Sequence, residues 1–134
     1  MKSKNQSKTV FICGSALQGQ PDNKNLQEAE FLGEANTVAI YRLHAVGNGW
    51  HPGIYQVATG GISIPGELYA MTLEQFTYLN DNEPPNMYPD SIVLQQEIGA
   101  IAFLYPKALI DEYNWPDISG YGGWVAYKNA TTGE

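Results

Sequence analysis

The spacing of apolar and polar positions changes along this chain. Thr9 to Cys13 is almost uninterruptedly apolar, which predicts an internal first strand. It runs into Gly14-Ser15-Ala16-Leu17-Gln18-Gly19, small residues that predict a tight loop. Before it, Met1 to Ser7 is polar and reads as a disordered tail. After it, Gln20 to Asn25 reads as loop and Leu26 to Phe31 as a short helical turn. Thr37 to Leu43 has the β-branched and aromatic content of a strand, and Gly47-Asn48-Gly49 turns it. His51-Pro52-Gly53 reads as a rigid bend, Ile54 to Ala58 as a strand, and Ile62 to Met71 as an extended segment. Its Pro65-Gly66 marks a bend or bulge.

The best helix pattern runs from Thr72 to about Asn82. Thr72 and Gln75 have capping-box spacing, and Met71 and Phe76 hold the staple positions. Pro84-Pro85 stops the helix because neither proline has an N–H to donate. Helical spacing places Glu83 on the face of Phe76 and Leu79, an unusual position for a carboxylate. Ser91 to Gln95 and Ala100 to Tyr105 predict an antiparallel hairpin, Ala108 to Asn114 a short helix, and Val125 to Lys128 a last short strand. Asp117 to Trp124 is a glycine-rich loop with aromatics. Many strands, one well-signalled helix and frequent turns predict an α+β fold on a mixed or partly closed sheet. The domain expectation is a tail over 1–8, one domain over 9–128 and a tail over 129–134.

Composition narrows the function classes. A chain of 134 residues with 43% apolar content supports a single real core. A net charge of -7 argues against non-specific nucleic-acid binding. The longest apolar run is too short for a transmembrane helix, and the first eight residues lack a secretory apolar segment, so a cytoplasmic setting is expected. One cysteine, Cys13, excludes an internal disulfide framework. No metal-ligand spacing is present, so no metal site is expected.

The candidate chemistry is sparse. A carboxylate facing an apolar cleft has a raised pKa and can move a proton near neutral pH, which is the functional reading of Glu83; the alternative is a helix-end cap reaching solvent. The Gly14-Ser15 loop offers backbone N–H donors to a carboxylate or amide oxygen, or serves only as a tight turn. It is neither a phosphate loop nor a GxSxG elbow. His44 reads as a strand-end residue and His51 as part of the bend, both structural. Arg42 pairs with an acidic neighbour or holds a substrate carboxylate. Glu67 and Tyr69 line the same cavity or brace a bulge, Tyr88 donates its hydroxyl into a cleft, and Tyr121 and Trp124 close a pocket by stacking. For each of these aromatics the alternative is simple packing.

Three segments together resemble the gamma-glutamylcyclotransferase-like superfamily. They are Phe11-Ile12-Cys13-Gly14-Ser15-Ala16-Leu17, Gly66-Glu67-Leu68-Tyr69, and Leu79-Asn80-Asp81-Asn82-Glu83 followed by Tyr88. Tyr41-Arg42-Leu43, His51-Pro52-Gly53 and Asp117 to Trp124 are similar to one branch of it, the C-terminal domain of allophanate hydrolase. Cys13 stands where the superfamily usually has tyrosine. Ala16 stands where the allophanate hydrolase branch commonly has histidine, and that branch typically lacks the helix-end glutamate present here.

The resemblance implies an α+β domain around a small mixed β-barrel, with one principal helix and short helices. It implies Glu83 as general acid/base in cyclising a gamma-glutamyl amide to 5-oxoproline, without metal or cofactor. Cys13, Gly14, Ser15, Ala16, Leu17, Glu67, Tyr69, Tyr88, Tyr121 and Trp124 would bind a small substrate bearing a carboxylate and an amide. The other branch implies an accessory or binding domain for a small carboxylated urea derivative, and a third reading is an inactive binding module. A separate amidase subunit and a second copy of the chain are the protein partners these readings admit; no nucleic acid and no membrane are expected.

Overall fold

A computed structural model describes residues 7–26 and 29–132. Most of the expected N-terminal tail, residues 27–28 of the expected helical turn, and residues 133–134 lie outside it. The described residues form seven strands and three α-helices: β1 (Ser7–Ile12), β2 (Glu30–Asn36), β3 (Tyr41–Val46), β4 (His51–Gln56), β5 (Pro65–Thr72), α1 (Leu73–Asp81), β6 (Tyr88–Ile92), β7 (Ala100–Leu104), α2 (Lys107–Tyr113) and α3 (Trp124–Thr132). Short 3-10 turns cover Pro21–Leu26 and Ser119–Tyr121.

The continuous apolar run behaves as its composition requires. β1 is the central strand of a five-stranded sheet ordered β2-β5-β1-β7-β6. It pairs antiparallel with β5 from Ser7↔Thr72 to Ile12↔Glu67, and parallel with β7 at Val10↔Ile101. Val10 and Phe11 are fully enclosed. Lying between two strands, with both faces covered, leaves no polar side for alternation to mark. Strand β1 begins at Ser7, two residues before the apolar pattern starts, because the ladder with β5 extends through Lys8↔Met71.

The sheet is not a barrel, which corrects the expectation drawn from the resemblance. It is an open sheet, and β3 and β4 form a separate two-stranded hairpin. The open sheet curls so that its two edges touch beyond β2 and β6. There Thr37 and Leu94 form an isolated bridge, and the Val38 and Gln95 N–H groups donate to the Val93 and Asn36 carbonyls. That single bridge closes no ladder. The hairpin packs beside β7, where the Tyr105 N–H donates to the Ile54 carbonyl at 3.0 Å.

Helix α1 starts as its sequence predicts. Thr72 Oγ1 accepts from the Gln75 N–H at 3.1 Å, and Gln75 Oε1 accepts from the Thr72 N–H at 2.8 Å. Leu79 is fully buried and Phe76 stacks on Phe103, but Leu73 faces solvent. The helix ends at Asp81, so Glu83 sits just beyond it, its N–H still donating to the Asn80 carbonyl at 3.3 Å. The β6–β7 hairpin and α2 form close to where the pattern placed them.

Several elements differ from the sequence reading. The segment from Val125 is a helix, not a strand and a tail. Trp124 is buried in its first turn and Tyr127 packs against the Trp124 ring at 5.4 Å, so tertiary packing overrides β propensity. The turn expected at Leu26 lies earlier, and β2 already begins at Glu30. Strand β3 begins at Tyr41 rather than Thr37. The Thr37 hydroxyl accepts from the Ile64 N–H and donates to the Val38 carbonyl, which fixes an irregular crossing there. His51 opens β4 instead of lying in a bend. The bulge lies not at Pro65-Gly66 but in β2, between Phe31 and Gly33.

Candidate functional site

The loop after β1 is held by bonds that use up its carbonyl oxygens. The Gly14 carbonyl accepts from the Leu17 N–H at 3.0 Å, and that of Ser15 from the Asp22 N–H at 2.9 Å. Asn23 Nδ2 donates to the Ala16 carbonyl at 2.9 Å. The Ser15 and Ala16 N–H groups donate to no acceptor among the described residues. Gly14 is required by a close approach, since a Cβ there would lie 2.2 Å from Pro52 Cγ. Strand β4 thus seats its proline on the loop.

Glu83 faces the same space. A cavity of about 40 Å³ is lined by the loop from Cys13 to Ala16, by His51, Pro52 and Ile54 of β4, and by Glu83, Met87 and Phe103. Its scale is that of one or two water molecules or a single functional group. Burial, followed by the nearby charge of Asp22, pushes the Glu83 carboxyl up to about 7. A carboxylic acid poised there is half-protonated near neutral pH and can both give and take a proton. Burial, with Glu83 second, pushes the Cys13 thiol up to about 12, so it remains a thiol and cannot serve as a thiolate nucleophile.

Leu17, Glu67, Tyr121 and Trp124 line a different, larger cleft of about 310 Å³, between β5, the end of β2 and the start of α3. The Gly14–Leu17 loop therefore borders both spaces: Ala16 faces the smaller and Leu17 the larger. Glu67 Oε1 accepts from the Gln18 N–H at 3.1 Å and from the Tyr69 hydroxyl at 3.0 Å. It braces the loop from β5, and Tyr69, buried, braces Glu67. Burial and then the Glu67 hydrogen bond push the Tyr69 phenol up to about 12, so it stays a donor. Tyr88, at the start of β6, is largely exposed and lines neither space, so the structure does not bring it to the other candidates.

Two contributors escaped the sequence reading. Asp22 reaches Glu83 electrostatically from the 3-10 turn, and His51 lines the cavity from β4. Asp22 lay in a polar stretch readable only as loop, and His51 lay in a His-Pro-Gly sequence that read as a bend. His44 and Arg42 lie elsewhere. His44 Nε2 is 3.0 Å from the Tyr55 hydroxyl, and Arg42 pairs with Asp117 at 2.8 Å. Burial would raise the Asp117 carboxyl, but hydrogen bonds from Arg42 and Ser119 hold it down at about 2. Among the described residues, no group of three or more His, Cys, Asp or Glu side chains is placed to hold a metal ion. Among the described residues, no helix is long and apolar enough to cross a membrane.

The fold and sequence have known counterparts. The solved structure of c4763, a uropathogenic E. coli-specific protein, superimposes with a TM-score of 0.85 at 26% identity, over 92% of this chain and 97% of that one. Kluyveromyces lactis allophanate hydrolase matches with a TM-score of 0.85 at 24% identity over 97% of this chain, which spans only 22% of that enzyme. A mouse AIG2-like protein shares the fold with a TM-score of 0.72 at 19% identity, over 84% of this chain and 86% of that one. No curated protein sequence matches. The family model of the allophanate hydrolase C-terminal domain matches residues 8–129. The chain therefore belongs to the allophanate hydrolase C-terminal domain family.

Proposed function

We propose that this chain is a cyclotransferase-like enzyme in which Glu83 moves a proton at the amide of a small carboxylated substrate, cyclising a gamma-glutamyl amide to 5-oxoproline. The observation that carries the reading is one small cavity bordered both by the Glu83 carboxyl and by the Gly14–Ala16 loop, whose Ser15 and Ala16 N–H groups are unspent. Those N–H groups supply fixed donors for an amide oxygen as it gains negative charge. Glu83 serves proton transfer as nitrogen attacks and as nitrogen leaves. The reacting amide would sit in the small cavity and the rest of the substrate along the loop toward the larger cleft.

The test is 5-oxoproline release from a panel of gamma-glutamyl amines and gamma-glutamyl amino acids. Glu83→Gln keeps the shape and removes the titrating proton, so turnover should fall by about 10²- to 10⁴-fold. Undiminished turnover in that variant would remove Glu83 from the mechanism. A second reading is favoured by the family match over residues 8–129: a domain that binds a small carboxylated urea derivative alongside a separate amidase. Saturable binding of allophanate, with no gamma-glutamyl compound turned over, would favour it.

A further inference from the structure

We infer that His51 is a second proton-transfer group of the small cavity, the base that works opposite the Glu83 acid. This rests on the proton-transfer reading of Glu83 and adds a residue to it.

The hydrogen bonds fix the state of the ring. His51 Nδ1 lies 2.9 Å from the Pro52 carbonyl oxygen, which can only accept. Nδ1 therefore carries the hydrogen, and the neutral ring presents a bare lone pair at Nε2. That nitrogen has no hydrogen-bond partner among the described residues, yet it is not among the buried polar atoms sealed off without one. His51 as a whole is only 2% exposed. The space that His51 lines is the cavity shared with Glu83 and the Gly14–Ala16 loop. Trp50 meets the ring edge-on at 5.2 Å and Tyr105 lies against it at 5.9 Å, so the ring is held in place by packing.

The electrostatics suit a division of labour. Burial pushes the His51 imidazolium down, against smaller opposing effects of the Pro52 carbonyl and the Asp22 charge, which favours the neutral, accepting ring. Burial pushes Glu83 the other way and favours the protonated, donating acid. The titratable groups that share the cavity with His51 are Glu83 from beyond α1 and the neutral Cys13 thiol from the end of β1; the Asp22 charge acts on the ring from the 3-10 turn, and Tyr105 from beyond β7 lies against it. Two groups whose environments drive their protons in opposite directions assign themselves as acid and base.

The proton count closes. The neutral α-amino nitrogen of a gamma-glutamyl amide forms a bond to the amide carbon and gives one proton to His51 Nε2. The bond from that carbon to the leaving nitrogen then breaks, and Glu83 gives the leaving nitrogen one proton. The imidazolium returns its proton to the Glu83 carboxylate, directly or through one water, and both groups are reset.

The experiment uses the whole chain with ¹⁵N-labelled histidine. In the unliganded protein, His51 should show the Nδ1–H tautomer with unprotonated Nε2, and its Nε2 resonance should move in Glu83→Gln, where an amide replaces the acid. A different tautomer, or a resonance that ignores the substitution, overturns the inference, and neither result needs turnover. In the kinetic arm, His51→Gln keeps a polar group and loses basicity. It should lower kcat about 10²-fold with KM nearly unchanged and abolish the acidic limb of the kcat profile. If the wild-type chain turns over gamma-glutamyl compounds, Glu83→Gln does not, and folded His51→Gln keeps both kcat and the pH profile, His51 falls and the Glu83 reading stands. If no compound is turned over, the reading of the reaction falls, and the resonances alone decide whether His51 and Glu83 form a pair. If His51→Gln fails to fold, the labelled wild-type chain and Glu83→Gln still decide it.

Discussion

Between pH 4.5 and about 7 the folded chain holds a proton on Glu83 that the unfolded chain has released. A carboxyl whose folded pKa is raised binds more protons folded than unfolded in that window, so its effect on stability worsens as pH rises through it. The cost is absent below pH 4.5 and complete above about 7, where it reaches about 3 kcal/mol. Glu83→Gln should therefore unfold at higher urea than the wild type at pH 8 and at nearly the same urea at pH 4. Identical differences at the two pH values would show that Glu83 is not buried as described. The carboxylate was legible in the sequence because helical spacing set it on the face of Phe76 and Leu79. His51 was not, because its place in the cavity lining comes from the register of β4 against β3, Val46↔His51, and from the distant segments that complete the cavity.

At the scale of elements, local signals succeeded where the chain satisfies its own backbone. The α1 capping box is such a case: both reciprocal bonds form within four residues. Thr72→Ala removes the hydroxyl half of the box and should cost about 1 kcal/mol in urea denaturation, with no change in the Glu83 midpoint. A loss much larger than that would mean Thr72 does more than cap. Local signals failed where packing decides. Val125, Ala126 and Tyr127 suit a strand, but burying Trp124 beside Tyr127 needs helical spacing. The 3-10 turn at Pro21–Leu26 was invisible for a related reason, since its role is to bond back to Ser15 and Ala16 rather than to bury an apolar stripe.

At the scale of the molecule, the α+β class followed from the turns and short strands, and the open sheet did not. Sheet closure depends on whether the edge strands meet along a ladder, and no property of β2 or β6 alone reveals that. Here they meet at the strand ends, through the isolated Thr37–Leu94 bridge and the two hydrogen bonds that flank it. Likewise, residues that share a sequence motif part company in space. Ala16 and Leu17 are neighbours in the chain yet face different hollows. Glu67, expected to touch substrate, also accepts from the Gln18 N–H of the loop and from the Tyr69 hydroxyl.

Gly14 and Pro52 occupy a single volume between them, since a Cβ at position 14 would overlap the proline ring. Two segments 38 positions apart are therefore bound by a shared steric allowance. Gly14→Ala alone should destabilise the chain, and Pro52→Gly alone should leave a void. The double substitution should cost less than the sum of the two, with an interaction of about 0.5–3 kcal/mol in a double-mutant cycle. Strict additivity would show that the loop and β4 do not share that space. The path of the loop past β4 is thus set jointly by positions 14 and 52, and neither can be chosen without the other.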